Sequence, residues 1–96
     1  MAIHDFAREE IRRFFESGTV PRRAGWASAA AVVARKLDMI DYAHVLDDLK
    51  SPPGNRLEAL KGKLRGMHSI RVNDQWRIVF RWTEAGPAGV DVVDYH

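Results

Sequence analysis

The chain predicts an α+β fold, a helix pair followed by an antiparallel β-sheet packed against it. Three observations lead there. Apolar side chains recur every three or four positions through about residue 50, they alternate with polar ones beyond Gly54, and Ser51-Pro52-Pro53-Gly54 separates the two regimes. Helices first and strands afterwards segregate the helices to one side of a sheet instead of alternating with parallel strands. At 96 residues the chain forms one domain, residues 1–96, because a core of this size does not divide. No internal repeat, low-complexity tract or linker interrupts it.

A first helix is predicted from about Asp5 to Ser17, with Asp5 as N-cap and Gly18 as a left-handed stop. Ala7, Ile11, Phe14 and Phe15 share one side of it, and Glu9 and Arg13 form an i,i+4 pair on another. After a loop holding Pro21, Arg22, Arg23 and Gly25, Ser28 caps a second helix. It runs through Ala29-Ala30-Ala31 and presents Val33, Leu37 and Ile40, so that the two helices pack as a hairpin. Leu46 and Leu49 keep a helical step until the prolines end it. Strands are predicted at Leu57–Leu60, Ser69–Val72, Trp76–Trp82 and Val90–Tyr95, with Gly86-Pro87-Ala88-Gly89 as the turn between the last two.

Composition narrows the chemistry. With 46% hydrophobic and 29% charged residues the chain is ordinary for a globular protein, and no run approaches the ~20 apolar residues of a membrane span. No basic stretch followed by an apolar one marks it for export, so a cytoplasmic protein with no membrane partner is expected. Zero cysteines exclude disulfides, thiol nucleophiles and cysteine-held metals. The net charge of +2 is unevenly spread: residues 1–50 hold eight basic and eight acidic side chains, whereas Arg56 to Arg81 holds seven cations against Glu58 and Asp74. That window either attracts a polyanion or is a solvated face.

Strand parity carries the argument furthest. Ile70 and Val72 point to one side of their strand and Arg71 to the other; Trp76, Ile78, Phe80 and Trp82 share a face, and Gln75, Arg77, Val79 and Arg81 the opposite one. A two-residue turn at Asn73-Asp74 would set apolar side chains beside polar ones. A three-residue connection, Asn73-Asp74-Gln75, pairs Val72 with Trp76 and Ile70 with Ile78, which sets Arg71 directly across from Arg77 on the exposed far face. Like charges so placed destabilise a sheet by roughly 0.2–1 kcal/mol. Either the guanidinium groups splay into water or reach carboxylates such as Asp91 or Asp94, or an anion sits between them, and a phosphate suits their bidentate forks.

His96 follows the final strand; it is either a frayed end or, with a pKa near neutrality, the best acid/base candidate in the chain. His4, His44 and His68 lack metal-site spacing and read as surface or satisfied core residues. Asp38, Asp41, Asp47 and Asp48 follow a helix rather than a Ca²⁺ loop and read as a solvated face. Trp26, Trp76 and Trp82 read as core or interface rather than base-stacking platforms, since Trp76 and Trp82 share the apolar face. Neither cofactor nor metal is expected.

Three stretches resemble the HigB-type toxins, GraT among them, of the RelE/ParE toxin–antitoxin superfamily. They are Ser51-Pro52-Pro53-Gly54-Asn55-Arg56-Leu57-Glu58-Ala59-Leu60-Lys61-Gly62, then His68-Ser69-Ile70-Arg71-Val72-Asn73-Asp74-Gln75-Trp76-Arg77-Ile78, and Val93-Asp94-Tyr95-His96. The resemblance implies a RelE-like α+β fold with the sheet curved against the helices, and a basic concave site. It implies a ribosome-dependent endoribonuclease that cuts mRNA without a metal, the ribose 2′-hydroxyl acting as nucleophile. Position by position, Arg71 and Arg77 look like the phosphate clamp, His96 like the acid or base and Lys61 like a family lysine after the first strand. Lys63, Arg65, Gln75 and Tyr95 would bind substrate. The partners implied are the ribosome, mRNA and a helix-turn-helix antitoxin of HigA or GraA type, with operator DNA reached only through that antitoxin. Two other classes fit the same fold: a ParE-like protein inhibitor, of DNA gyrase for example, and a constitutive RNA-binding module.

Overall fold

A computed structural model of the chain describes residues 2–95. Two helices, α1 (Glu9–Ser17) and α2 (Ala30–Tyr42), precede four strands, β1 (Glu58–Ala59), β2 (His68–Arg71), β3 (Trp76–Thr83) and β4 (Gly86–Asp94). The strands pair in sequence order, all antiparallel. The α+β architecture is therefore the predicted one. Ile11 and Phe14 of α1 and Val33, Leu37 and Ile40 of α2 form a buried core with Ile70, Ile78, Phe80, Val90 and Val92 from one face of the sheet. Trp26 is buried edge-to-face on Phe14, their rings 4.9 Å apart, and Trp76 and Trp82 pack against the same core. Among the described residues no helix is long and apolar enough to cross a membrane.

Several boundaries differ from expectation, each for a reason outside the local sequence. Helix α1 starts at Glu9, not near Asp5, and no side chain caps it. The preceding residues are extended beside β4: His4 N donates to Pro87 O at 2.7 Å, Ala7 N to Val90 O at 3.0 Å, and Val90 N to Asp5 O at 3.3 Å. The Asp5 carboxylate accepts from Gly89 N at 2.6 Å, so it caps a bulge in the sheet rather than a helix. Between Val79 and Arg81 two steps on β3 oppose three on β4, from Asp91 to Ala88, and Gly89 absorbs the extra residue at φ 60°.

Gly86-Pro87-Ala88-Gly89 consequently opens β4, and the turn is Glu84–Ala85. A strand residue points its N–H and C=O to the same side. Pro87 O accepts from His4 outside the sheet, so the missing Pro87 N–H costs no bond to β3. At Gly86 a Cβ would lie 2.3 Å from Ala2 O, which explains the glycine by close approach. Gly18, by contrast, stops α1 as predicted, at φ 79° with its N–H on Phe14 O. Glu9 pairs with Arg12 rather than Arg13, and Arg12 also holds Glu16 at 2.7 Å. Ser28 caps nothing: Ala27–Ala29 is a 3₁₀ turn that leads into α2. The last strand stops at Asp94, β1 is shorter than Leu57–Leu60, and β2 lies one residue earlier than Ser69–Val72.

Candidate active site

The arginine register is the predicted one. Ile70 pairs with Ile78 and Arg71 with Arg77, and the connection Asn73-Asp74-Gln75 is closed by Val72 N on Trp76 O at 2.9 Å. Asn73 builds that turn by accepting from Gln75 N at 2.9 Å and Trp76 N at 2.8 Å.

The face that carries the pair is not open, which corrects the expectation of two exposed guanidinium groups. Arg71 is half-buried and takes Asp74, while Arg77 is only 6% exposed, with Ser69 and Val79 buried beside it. Arg77 Nη2 donates to Arg56 O at 2.6 Å, the Tyr95 ring centroid stands 4.8 Å from its Cζ, and its Nε has no partner. Neither carboxylate considered for it pairs with it. Asp91 accepts from Arg8 at 2.7 Å, and Asp94 from Gln75 at 3.0 Å.

Curvature is what covers Arg77. Tyr95 N bonds Gln75 O at 2.6 Å beside β3, and the Tyr95 hydroxyl donates to Glu58 of β1 at 2.6 Å. Tyr95 continues β4, the edge opposite β1 and about three spacings of ~4.8 Å from it if the sheet were flat, so the face bends inward to let the two side chains meet. The bond to Glu58, then shielding from water and the carboxylate's charge, hold the Tyr95 phenol above its ordinary pKa against the pull of Arg77. It therefore stays the proton donor of that bond.

Beside the ring lies a groove of about 530 Å³ lined by Glu58, Ala59, Leu60, Lys61, Leu64 and Tyr95. The structure thus gathers Lys61 and Tyr95 at the groove, Arg77 under the ring and Arg71 next to Arg77. Lys63 and Arg65 are exposed around the short turn Gly62–Leu64 but do not line the groove, and Gln75 is exposed at the hairpin tip. His96 lies outside the described residues. In the sequence Glu58 reads only as a charge, although its pairing with Ser69 sets it on the arginine face. The Arg56 carbonyl leaves no signature in a sequence.

Asp41 accepts from Ile3 N at 2.9 Å, Asp47 pairs with Lys50, and Asp48 accepts from the His44 and Val45 backbone, bonds that hold its carboxyl below the usual range. His4 and His44 are exposed, but His68 is half-buried on Phe80 with Nδ1 unpaired, so it is neither surface nor satisfied core. Among the described residues no three His, Asp or Glu side chains cluster as metal ligands would. Lys61, Glu58 and the Tyr95 ring line the groove, while Arg77 lies against the far side of that ring with Arg71 across the hairpin, so cations that suit an anion stand beside an aromatic face that can stack on a base.

Residues 4–96 match the family model described as RelE-like toxin of type II toxin–antitoxin system HigB. The chain is 39% identical over 80 residues to Toxin HigB-1 of Vibrio cholerae, covering 83% of each chain. It is 38% identical over 77 residues to an uncharacterized protein of Haemophilus influenzae, covering 80% of this chain and 75% of that one.

Proposed function

Since the chain belongs to the HigB-like family of RelE-like toxins from type II toxin–antitoxin systems, we propose that it is a ribosome-dependent endoribonuclease, cutting mRNA through attack of a ribose 2′-hydroxyl on the adjacent phosphate. The observation that supports this most is Arg77, buried beside a groove with its Nε unpaired and its neighbour across the hairpin a second arginine. A protein that only plugs a partner's surface has no evident use for a cation placed so.

The reaction needs what these side chains supply. As the 2′-oxygen bonds to phosphorus and the 5′-oxygen departs, the 2′-hydroxyl gives up a proton, the 5′-oxygen gains one, and negative charge grows on the phosphoryl oxygens. The products are a 2′,3′-cyclic phosphate and a 5′-hydroxyl. Arg77 and Arg71 face that charge with forked donors, and Lys61 adds a third cation. His96 carries a proton in this reading, with Lys61 the other candidate. The Tyr95 ring occupies the space over Arg77 that a phosphate would take. Being 43% exposed and tethered to Glu58 by one side-chain bond, it swings aside and stacks on a base. Lys63 and Arg65 hold the strand outside the groove, and Gln75 contacts it at the hairpin tip.

Membership in a type II system implies an antitoxin. We take it to be a helix-turn-helix protein that holds the toxin and reaches operator DNA, and we place the action on ribosomes in the cytoplasm. Mapping transcript 5′ ends after induction tests the reading. Cuts phased to codons should appear with wild type and vanish with Arg77→Ala or His96→Ala. Growth arrest without such cuts would instead favour a gyrase-type inhibitor.

A further inference from the structure

Asn55 and Arg56 reach the site through the backbone, and the contacts that hold them are not those of an ordinary loop. Asn55 is fully buried. Its Oδ1 accepts from the ammonium of Lys36, on α2, and its Nδ2 donates to Leu49 O at 3.1 Å and Ser51 O at 3.3 Å. One amide thus ties the helix to the segment that enters the loop. The next residue, Arg56, has φ 47° and ψ 54°, the one non-glycine with positive φ among the described residues. Side chains with a Cβ persist there only when their surroundings impose it. In that conformation the Arg56 carbonyl accepts from Arg77 Nη2 at 2.6 Å, the single hydrogen bond to that guanidinium among the described residues.

Lys36 is hard to explain by stability. It is 7% exposed, and no carboxylate among the described residues pairs with it. Burial first, then the fields of Arg35 and Arg71, push its ammonium below the ordinary lysine pKa. An apolar side chain of similar length would fill the space at less cost, but would leave Asn55 Oδ1 unmatched.

We propose that Lys36 and Asn55 are positioning residues for Arg77: Lys36 fixes the Asn55 amide, Asn55 fixes the loop, and the Arg56 carbonyl then holds the guanidinium fork under the Tyr95 ring, beside the groove. Neither touches substrate. The inference rests on Arg77 being a phosphate-binding group of a ribonuclease.

The test uses the full chain, Lys36→Met beside wild type, with two readouts. One is the Arg77 Nε–H signal in ¹H–¹⁵N spectra, identified by its loss in Arg77→Lys; the other is the rate of mRNA cleavage on ribosomes. Lys36→Met should stay folded, move the Arg77 signal, and lower kcat roughly 10- to 100-fold with KM little changed, since small misplacements of a reacting group cost that much. In the Arg77→Lys background the same substitution should cost less than about twofold, because the effect passes through Arg77. An unmoved signal, cleavage within twofold of wild type, or an equal loss in both backgrounds overturns the proposal. Asn55→Asp, which keeps an acceptor for Lys36 but loses the Nδ2 bonds to Leu49 O and Ser51 O, and Lys36→Arg carry the same readouts should Lys36→Met not fold. If wild type itself does not cleave, the ribonuclease reading falls, and the Arg77 signal alone still decides whether Lys36 orients that side chain.

Discussion

Two arginines, Arg8 beside α1 and Arg77 on β3, are held in opposite ways. Arg8 is wrapped by carboxylates, Asp91 at 2.7 Å and Glu10 at 2.8 Å, and the bond to Asp91 above all raises its pKa. Arg77 is far more buried, yet it is held by a carbonyl and an aromatic face. A carboxylate cancels the charge it orients; a carbonyl or a ring orients it and leaves the charge in place. Arg8 is therefore a fastener and Arg77 a charge kept in reserve, which position in the sequence alone does not distinguish.

The sharpest way to break that contrast is Arg77→Ala, expected to lower cleavage by about 10²–10³-fold, the usual loss when one donor to a developing anion is removed. Codon-phased 5′ ends would show it, and a near-wild-type rate would put Arg77 in the same class as Arg8. The buried Lys36 sharpens the contrast by pH. Its folded pKa lies below its unfolded value near 10.4, so the unfolded chain binds more protons in the interval, and stability should rise with pH across it. Denaturant midpoints should climb in wild type as pH rises toward about 10.5, and that climb should be missing in Lys36→Met. Arg8→Ala should cost only ~0.2–1 kcal/mol, because its side chain is 46% exposed and water screens its pairs. That corresponds to a Tm lower by up to about 4–8 °C, with unchanged cleavage. Smallest is Asp74→Asn, which frees Arg71 from an exposed partner. RNA affinity should rise by less than about threefold at low salt and not at all at high salt.

Much of the frame was legible from residues near one another. Parity and a three-residue connection place Arg71 across from Arg77, Gly18 ends α1, and Ile70, Ile78 and Phe80 lie on the core face. What escaped depends on partners far along the chain. Asp5 looks like a helix cap because its true partner, Gly89, is 84 positions away. Gly86-Pro87 looks like a turn because nothing nearby says that Ala2 and His4 will run beside it. Ser28 offers a good cap, but Trp26 in the core draws the entry to α2 into a 3₁₀ turn. The burial of Arg77 needed both the bend of the sheet and the reach of Tyr95 to Glu58, neither visible in a strand read singly.

The seam between residues 4–7 and 87–90 has a consequence for how the protein is made. During synthesis the early half of that seam waits for the late half, and the ring that shields Arg77 emerges later still. A nascent chain halted before β4 can coil its helices but cannot close its edge, because the partners of residues 4–7 have not yet been made.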